Sequence, residues 1–296
     1  MSLYETLRDA LLAEEPVALA TIVEVANEGT DGGEGPELAL GAKLLVRPDR
    51  PALGSLGDEA LDRVVARDAL GALTAGRTST RNYGRHGEAR QREVAVFVEA
   101  FAPPPSMVIF GAVDFTAALA RVAKLLGYRV TVCDARPVFA TQARFPMADE
   151  VVVDWPDRHL AKVGQNLGQR DAVCVLTHDP KFDVPALLAA LATDAGYVGA
   201  MGSRRTHAER VERLREAGAT EDDLARVMSP IGLDIGARTP EETAISVAAE
   251  IIGLRTGRQA PSLRDAEGPI HPGPPREAGP IASERTARVQ ARAATD

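Results

Sequence analysis

From residue 106 onwards the apolar positions fall into short continuous runs separated by longer amphipathic stretches. Such runs predict strands buried on both faces, as in a parallel sheet, because neither face then needs polar residues. The runs of this kind lie at 107–110, 129–133, 150–153, 172–176 and 197–198. Helical periodicity between them predicts alternating strands and helices, and therefore a Rossmann-like parallel-sheet domain over 106–258.

The first hundred residues carry a weaker mixture of helical and strand periods. The predicted elements are helices at 3–12 and 58–73 and strands at 17–25, 43–46 and 93–100. We therefore predict an N-terminal small α/β domain over 1–102, with an acidic, glycine-rich loop at 27–37. Periodicity stops after residue 258, so 259–296 is predicted to be a disordered C-terminal tail.

Composition limits the classes of partner. The 296 residues are 45% hydrophobic and 26% charged, which is enough apolar material for two cores. The net charge of −8 provides no general basic field, so nucleic acid and anionic membranes are disfavoured as partners. Residues 1–13 carry charges where a signal peptide would be apolar, and no apolar run is long enough to span a bilayer. We expect a cytoplasmic protein.

Side chains that commonly bind metals show no ligand spacing. The two cysteines, Cys133 and Cys174, lie inside apolar strand-like runs and are predicted to be reduced and buried. The five histidines are scattered along the chain at His86, His159, His178, His207 and His271. We therefore predict no metal site.

Two arginines follow a helix-start signal in Gly199-Ala-Met-Gly-Ser-Arg-Arg-Thr-His207. Ser203 is a favourable N-cap, so Arg204, Arg205 and His207 fall in the first turn, where the helix dipole is already positive. This crowding of positive charge is unfavourable unless an anion lies there.

Two glycines in the same segment, Gly199 and Gly202, would let the backbone approach a ligand closely. Free amides and two arginine forks suit a phosphate group, so the segment predicts an anion site. The alternative is an ordinary solvated ion pair between Arg205 and Glu209, one turn later.

Residues 229–242 combine a helix start with a charged loop. Thr239 and Glu242 have the spacing of a capping box for the last helix. Asp234 and Arg238 precede it among glycines and apolar residues, and they are predicted either to serve a site or to pair with each other. The predicted inward face of the helix comprises Ile245, Ala248 and Ile252.

His178 and Lys181 follow the strand at 172–176, at the edge where parallel sheets bind ligands. His178 would donate to an oxyanion or carry a proton, and Lys181 would supply positive charge. Alternatively, Asp179 is only the N-cap before Pro180, and Lys181 is solvated.

The turn after the first parallel strand, at 111–116, is a partial dinucleotide fingerprint. Gly111 is present, and Asp134 ends the next strand, where an acid would meet a ribose. Val113 replaces the second glycine, and Asp114 adds negative charge where a phosphate would lie. A nucleotide site at Gly111 and Asp134 is therefore disfavoured, and the alternative for Asp134 is a local cap or pair.

The segments 177–183, 199–207 and 230–242 closely resemble the signatures of the xanthine dehydrogenase accessory factor family, also called XdhC/CoxI. The resemblance implies a cytoplasmic, non-catalytic chaperone that binds molybdenum cofactor (molybdopterin) and helps to sulfurate it and insert it into a molybdenum hydroxylase of xanthine dehydrogenase type. A cysteine desulfurase is the second implied partner, and a homodimer stays open. The residues predicted to bind the cofactor are His178, Lys181, Gly199, Gly202, Ser203, Arg204, Arg205, His207, Asp234 and Arg238.

The first domain departs from this family pattern. Family members have a glycine-rich turn ending in Gly-Gly-Cys, and on the best alignment Asp58 and Glu59 stand for the glycine pair and Ala60 for the cysteine. No thiolate is therefore available at this position. Two other functions stay open: an NAD(P)-dependent oxidoreductase on the Rossmann domain, and a ligand-free scaffold or regulatory member of the family.

Overall fold

The computed structural model describes four stretches of the chain: 2–26, 38–89, 91–177 and 179–266. Met1–Ala260 form one compact unit that contains two separate β-sheets. In Pro261–Asp296, the described part contains a 3-10 turn at Leu263–Asp265. The predicted loop at 27–37 and most of the predicted tail lie outside the described residues, and the domain limits at 1–102 and 106–258 stay predictions.

The larger sheet is parallel throughout and confirms the Rossmann-like prediction. Its strands are β6 (Ser106–Phe110), β7 (Arg129–Cys133), β8 (Glu150–Val152), β9 (Ala172–Val175), β10 (Tyr197–Ala200) and β11 (Val227–Met228). The order is β11-β10-β9-β6-β7-β8, so the chain winds outwards in both directions from the β6–β9 pair. This doubly wound order is typical of nucleotide-binding folds.

Helices cover both faces of the parallel sheet. They are α3 (Asp114–Leu125), α4 (Pro156–Val163), α5 (Pro180–Leu191), α6 (Arg204–Glu216), α7 (Glu221–Ala225) and α8 (Pro240–Thr256). On one face Leu119 of α3 and Val247 of α8 share a core with Ile109. On the other face, Leu187 of α5 and Leu214 of α6 pack with the strand side chains that point to that face.

The smaller sheet is antiparallel, with the order β3-β2-β1-β5-β4. Its strands are β1 (Val17–Val25), β2 (Lys43–Val46), β3 (Leu53–Ser55), β4 (Ser79–Tyr83) and β5 (Val94–Phe101). Helices α1 (Leu3–Leu12) and α2 (Glu59–Ala75) contribute to separate cores. Leu61 and Val65 of α2 pack with Val96, whereas Ala10 of α1 packs with Leu19.

Two helix predictions need correction. Helical periodicity after the strand at 172–176 predicts a helix at 184–193, but the observed helix begins earlier, at Pro180, because Asp179 caps it by accepting a hydrogen bond from Lys181 N–H at 3.1 Å. In α8 the predicted inward residue Ile245 is 54% exposed, and Ile252 is also exposed. Ala248 is buried as predicted, and Ala244, Val247 and Ile251 are buried with it in place of the two isoleucines. Two small side chains at helical spacing let α8 approach the core, and the larger isoleucines face outwards.

No helix in the described stretches combines the length and hydropathy needed to cross a bilayer.

Candidate functional site

The carboxyl ends of the parallel strands form the edge at which ligands bind in this topology. Strand order reverses between β6 and β9, so the residues after these strands face each other. Gly111, after β6, has a φ of +104°, and a Cβ there would lie 2.8 Å from Cγ2 of Thr177, after β9. Only glycine fits this position, and the backbone at the switch point is packed against the neighbouring loop.

Asp134 at the end of β7 is buried and fully engaged within the chain. Its Oδ2 accepts hydrogen bonds from Ala112 N–H and from Nη2 of Arg136, both at 2.8 Å. Its Oδ1 accepts from the backbone N–H and from Nε of Arg136, both at 2.9 Å. Burial alone would raise the pKa of Asp134, but these hydrogen bonds outweigh it and lower the pKa. Asp134 therefore joins the glycine turn to Arg136.

Arg144 engages the other side of the same turn. Its Nη1 donates to the Ala112 carbonyl at 3.1 Å, and its Nη2 lies 3.8 Å from Oδ1 of Asp114. The polar groups that a dinucleotide would need at 111–114 are thus largely occupied by the chain itself. This arrangement fits an NAD(P) cofactor poorly.

A cavity of about 410 Å³ opens at the carboxyl edge beside β10. It lies where α3, α6 and α8 begin, so the positive ends of three helix dipoles are near it. Its lining residues are Phe115, Met201, Gly202, Ser203, Thr206, Ile231 and Thr243. Two of the predicted site residues, Gly202 and Ser203, are therefore on its wall.

Ser203 is the N-cap of α6, as the sequence predicts. Its hydroxyl accepts a hydrogen bond from Thr206 N–H at 3.1 Å. Gly202 before it has a φ of +151°, and a Cβ there would lie 3.2 Å from Cβ of Thr206. Gly199 is buried in β10 under Ile231, whose Cδ1 would be 2.6 Å from an added Cβ. The glycines thus shape the wall beside the helix start.

Arg204 and Arg205 project from the first turn of α6 into solvent. The Arg204 side chain is 90% exposed and its Nη2 lies 3.8 Å from Oδ2 of Asp234, which is equally exposed. Nε of Arg205 donates to Oε1 of Glu209 at 3.2 Å, the ion pair that the sequence offers as the alternative. Both pairs are exposed and weak, so either guanidinium can exchange its partner for a ligand.

The structure brings Asp234 to Arg204 and not to Arg238. Among the described residues, the ion pair of Asp234 is with Arg204, and the predicted pair between Asp234 and Arg238 is not formed. Both residues are exposed, so neither needs a partner on account of burial. The backbone N–H of Arg238 instead donates to Oε2 of Glu242 at 2.7 Å, as part of the start of α8.

His207, in the first turn of α6, is partly buried. Its Nδ1 is buried and has no hydrogen-bond partner among the described residues. Burial lowers the pKa of His207, and the nearby positive charge of Arg210 lowers it further. The imidazole is consequently neutral at pH 7, and its buried Nδ1 is without a partner in the described part of the chain.

Arg210 is the most important polar residue that the sequence analysis missed. Its side chain is 2% exposed, and Nη2 donates to Oδ2 of Asp183, itself 4% exposed, at 3.0 Å. The guanidinium also donates to the Met201 carbonyl at 2.8 Å and to Ser229 Oγ at 3.1 Å. Oδ1 of Asp183 accepts a hydrogen bond from the Thr177 hydroxyl. One buried cation therefore ties together the loops after β9, β10 and β11.

The loop after β9 is only partly described. His178 lies outside the described residues, so its predicted role is untested. Nζ of Lys181 lies 3.4 Å from Oδ2 of Asp179 and 4.7 Å from the ring centroid of Phe182. Lys181 is exposed and does not line the cavity beside β10.

Two family models match the chain in separate segments. The XdhC Rossmann domain model matches residues 107–251, and the model of the XdhC and CoxI family matches residues 10–84. This chain belongs to the XdhC and CoxI family.

Curated relatives of this XdhC/CoxI chain come from two bacteria. A probable subunit of xanthine dehydrogenase from Bacillus subtilis is 34% identical over 160 residues, which are 54% of this chain and 46% of the relative. In Escherichia coli, the uncharacterized protein YqeB is 29% identical over 250 residues, 81% of this chain and 44% of the relative. The molybdenum cofactor insertion chaperone PaoD is 35% identical over 91 residues, 31% and 29% of the two chains. Each match spans less than half of the relative.

One solved structure that the chain matches is a xanthine dehydrogenase from Bacillus halodurans. It has a TM-score of 0.47 and 22% sequence identity, covering 88% of this chain and 98% of that one.

The turn at 54–60, which resembles the Gly-Gly-Cys turn of the family in sequence, has a structural role here. Asp58 is the N-cap of α2, accepting from Leu61 N–H at 2.8 Å, and its Oδ2 lies 2.9 Å from Nδ1 of His86. The two thiols of the chain are buried in the parallel sheet. Burial raises the pKa of Cys133 to about 12, and it also raises the pKa of Cys174. Neither thiol is a reactive thiolate at neutral pH.

Proposed function

We propose that this chain is a molybdenum cofactor chaperone that holds the phosphate-bearing pterin cofactor at the start of α6. The observation that carries the proposal is the cavity of about 410 Å³ beside Ser203, which is bordered by three helix N-termini and lies next to the first turn of α6, where two arginines are exposed and loosely paired. An anion is favoured there by the dipoles and by free first-turn amides.

The residues present fit such a ligand. The cavity volume is within the range of about 300–1,000 Å³ that small-molecule sites occupy. Phe115, Met201 and Ile231 offer apolar wall for a ring, and Arg204 and Arg205 offer forks for phosphate oxygens. His207 lies in the same turn, but its unpaired Nδ1 is buried and His207 does not line the cavity. Arg210 holds the surrounding loops in place from beneath.

The names of two relatives support a role in the maturation of a molybdenum enzyme. One is a probable subunit of xanthine dehydrogenase and the other is a molybdenum cofactor insertion chaperone, so we assign the chain to the maturation of a molybdenum hydroxylase of the xanthine dehydrogenase type, in the cytoplasm. We assign the sulfuration of the cofactor to a cysteine desulfurase partner, because both thiols of this chain are buried. An NAD(P)-dependent oxidoreductase is not favoured, since Asp134 is bonded within the chain.

The first test is the pterin content of the purified chain. The full chain is expressed in a host that synthesises molybdenum cofactor, oxidised, and assayed for released pterin by fluorescence. We expect near-stoichiometric pterin in the wild type and its loss in the Arg204→Ala, Arg205→Ala double variant, because the phosphate loses both forks.

A matched control is the Arg63→Ala, Arg67→Ala double variant, which removes the same charge from exposed positions of α2. It should keep its pterin. Absence of pterin from the wild type would argue against cofactor storage. If both double variants retained pterin equally, the ligand would not be bound at α6.

A further inference from the structure

A second cavity, of about 740 Å³, lies at the opposite edge of the parallel sheet. Tyr128, Asp171 and Gly196 on its wall each precede a parallel strand, so they mark the amino ends of the strands. The last turns of α2 and α8 form the other walls. This cavity shares no lining residue with the one beside Ser203.

Three arginines from separate segments line this cavity: Arg77, Arg170 and Arg255. The Arg170 guanidinium packs on Gly76, where an added Cβ would lie 2.6 Å from its Cζ, and donates to the Pro103 carbonyl at 3.1 Å. In the described part of the chain, the guanidinium groups of Arg77 and Arg255 have neither an ion pair nor a hydrogen bond. The cavity therefore contains positive charge that the chain does not balance.

The acid on the cavity wall does not supply that balance. Oδ1 of Asp171 accepts a hydrogen bond from Ser106 N–H at 2.5 Å, and Oδ2 accepts from Gly168 N–H at 2.6 Å. Asp171 therefore holds the backbone at the start of β9 and forms no ion pair with the arginines of the described chain. The negative ends of α2 and α8 do attract cations, which accounts in part for the positions of Arg170 and Arg255.

Helix dipoles do not account for the unpaired hydroxyl of Tyr128, which lies on the same wall. Tyr128 is 2% exposed, and its hydroxyl has no hydrogen-bond partner among the described residues. Burial raises the pKa of Tyr128, against the opposing charges of Arg255 and Arg170, so the hydroxyl stays protonated at neutral pH. The hydroxyl opens onto the cavity as a free donor, beside the exposed guanidinium groups of Arg77 and Arg255, and this combination suits an acceptor with negative charge.

We propose that this cavity is a second anion site, which binds a small organic phosphate. Guanidinium groups from three segments match the charge and the several oxygens of a phosphate ester better than a single carboxylate would. Tyr128 donates to one more oxygen, and Ile251 and Leu254 line the part that would receive an organic group. The site is independent of the cofactor site proposed beside α6.

The test uses the full chain with inorganic phosphate and phenyl phosphate as probes, followed by broadening of their ³¹P resonances. We expect both to bind the wild type, phenyl phosphate more tightly because its ring adds apolar contact. The Arg77→Ala, Arg255→Ala double variant should weaken binding by about tenfold or more, and Tyr128→Phe by about threefold to tenfold.

The control is Arg50→Ala, Arg63→Ala, which removes the same charge from exposed positions outside both cavities. It should bind as the wild type does, and circular dichroism melting identifies any variant that fails to fold. An excess of succinate should displace little phenyl phosphate. Failure of the wild type to bind, equal weakening in the control, or efficient displacement by succinate would overturn the proposal.

Two further measurements separate this site from the proposed cofactor site. The Arg77→Ala, Arg255→Ala variant should retain its pterin, and the Arg204→Ala, Arg205→Ala variant should retain phenyl phosphate binding. Loss of phenyl phosphate binding only in the second variant would place the anion at α6 and contradict a site at the amino edge.

Discussion

At the scale of single residues, Arg210 stands apart from the other arginines of α6. Its neighbours on the helix form exposed pairs, whereas Arg210 is buried against Asp183 and reaches the loops after β10 and β11. A buried ion pair of this kind adds little net stability compared with apolar residues, but removal of one partner leaves an uncompensated charge. Its value to the molecule is the fixed arrangement of three loops beside the candidate site.

We predict that Arg210→Ala lowers the free energy of unfolding by about 3–5 kcal/mol, since Asp183 would remain buried without its cation. Urea denaturation followed by circular dichroism measures the change. The control is Arg213→Ala, whose contact with Glu209 is exposed and 3.9 Å long, and which should cost less than about 1 kcal/mol. Replacement of both buried partners, by Arg210→Met with Asp183→Leu, should recover part of the loss. Similar values for the two alanine variants would contradict this account.

At the scale of elements, the sequence predicts best where local pattern and tertiary role agree. The apolar runs of β6, β7 and β9 identify strands covered on both faces, and the capping box at Thr239 fixes the start of α8. Strand β4, Ser79–Tyr83, could not be predicted, because it is polar and owes its conformation to pairing with β5.

The site was less predictable than the fold, for a similar reason. In the sequence, Arg210 is one of many charges on a polar helix, and nothing local distinguishes it from the exposed Arg213. Its burial depends on Asp183 from another helix, a long-range contact without a sequence signature. The Ser203 cap and the exposed first-turn arginines, by contrast, follow from local helix rules.

The cap of α8 can be tested directly. Glu242 N–H donates to Thr239 Oγ1 at 3.2 Å, and Thr239 N–H donates back to Oε2 of Glu242 at 3.1 Å. Thr239→Ala removes the first bond and should lower the free energy of unfolding by about 1 kcal/mol in urea. Thr239→Ser keeps the hydroxyl and should stay close to the wild type. If serine were as damaging as alanine, the lost methyl group and not the cap would be responsible.

At the scale of the whole molecule, positive charge is concentrated locally although the net charge is negative. The chain carries a net charge of −8, yet arginines line the cavity at the amino edge of the parallel sheet and follow Ser203 beside the cavity at the carboxyl edge. Anions would therefore be attracted by local groups and not by the general field.

Three histidines respond to pH in opposing directions. Burial lowers the pKa of His159 and of His207, whereas the hydrogen bond with Asp58 raises the pKa of His86.

We predict that His159 makes the fold less stable in mild acid. Burial lowers its pKa despite the nearby carboxylates of Glu150 and Asp154, so the unfolded chain takes up the proton first, near pH 6.5. The free energy of unfolding should fall as pH drops below about 6.5, by at most about 1.4 kcal/mol per pH unit for this group. His159→Gln should show a shallower fall between pH 7.5 and 5.5.

His86→Gln provides the opposite sign as a control. Asp58 raises the pKa of His86, so stability from that contact is present below about pH 6.5 and is lost as pH rises through the raised value. Removal of His86 should therefore steepen the fall in acid. The same pH dependence in the wild type and in His159→Gln would exclude His159 as the responsible group.

Because both thiols are buried in the parallel sheet, their chemical modification reports when that sheet unfolds. Cys174 packs with Ile109 and α8 on one face, and Cys133 packs with Val108 and α5 on the other. An alkylating reagent can modify either only when the layer above it opens, and the antiparallel sheet contributes no background because the chain has only these cysteines. Mass spectrometry of peptides from pulse-labelled protein would thus time the release of each helical layer separately, without an introduced label.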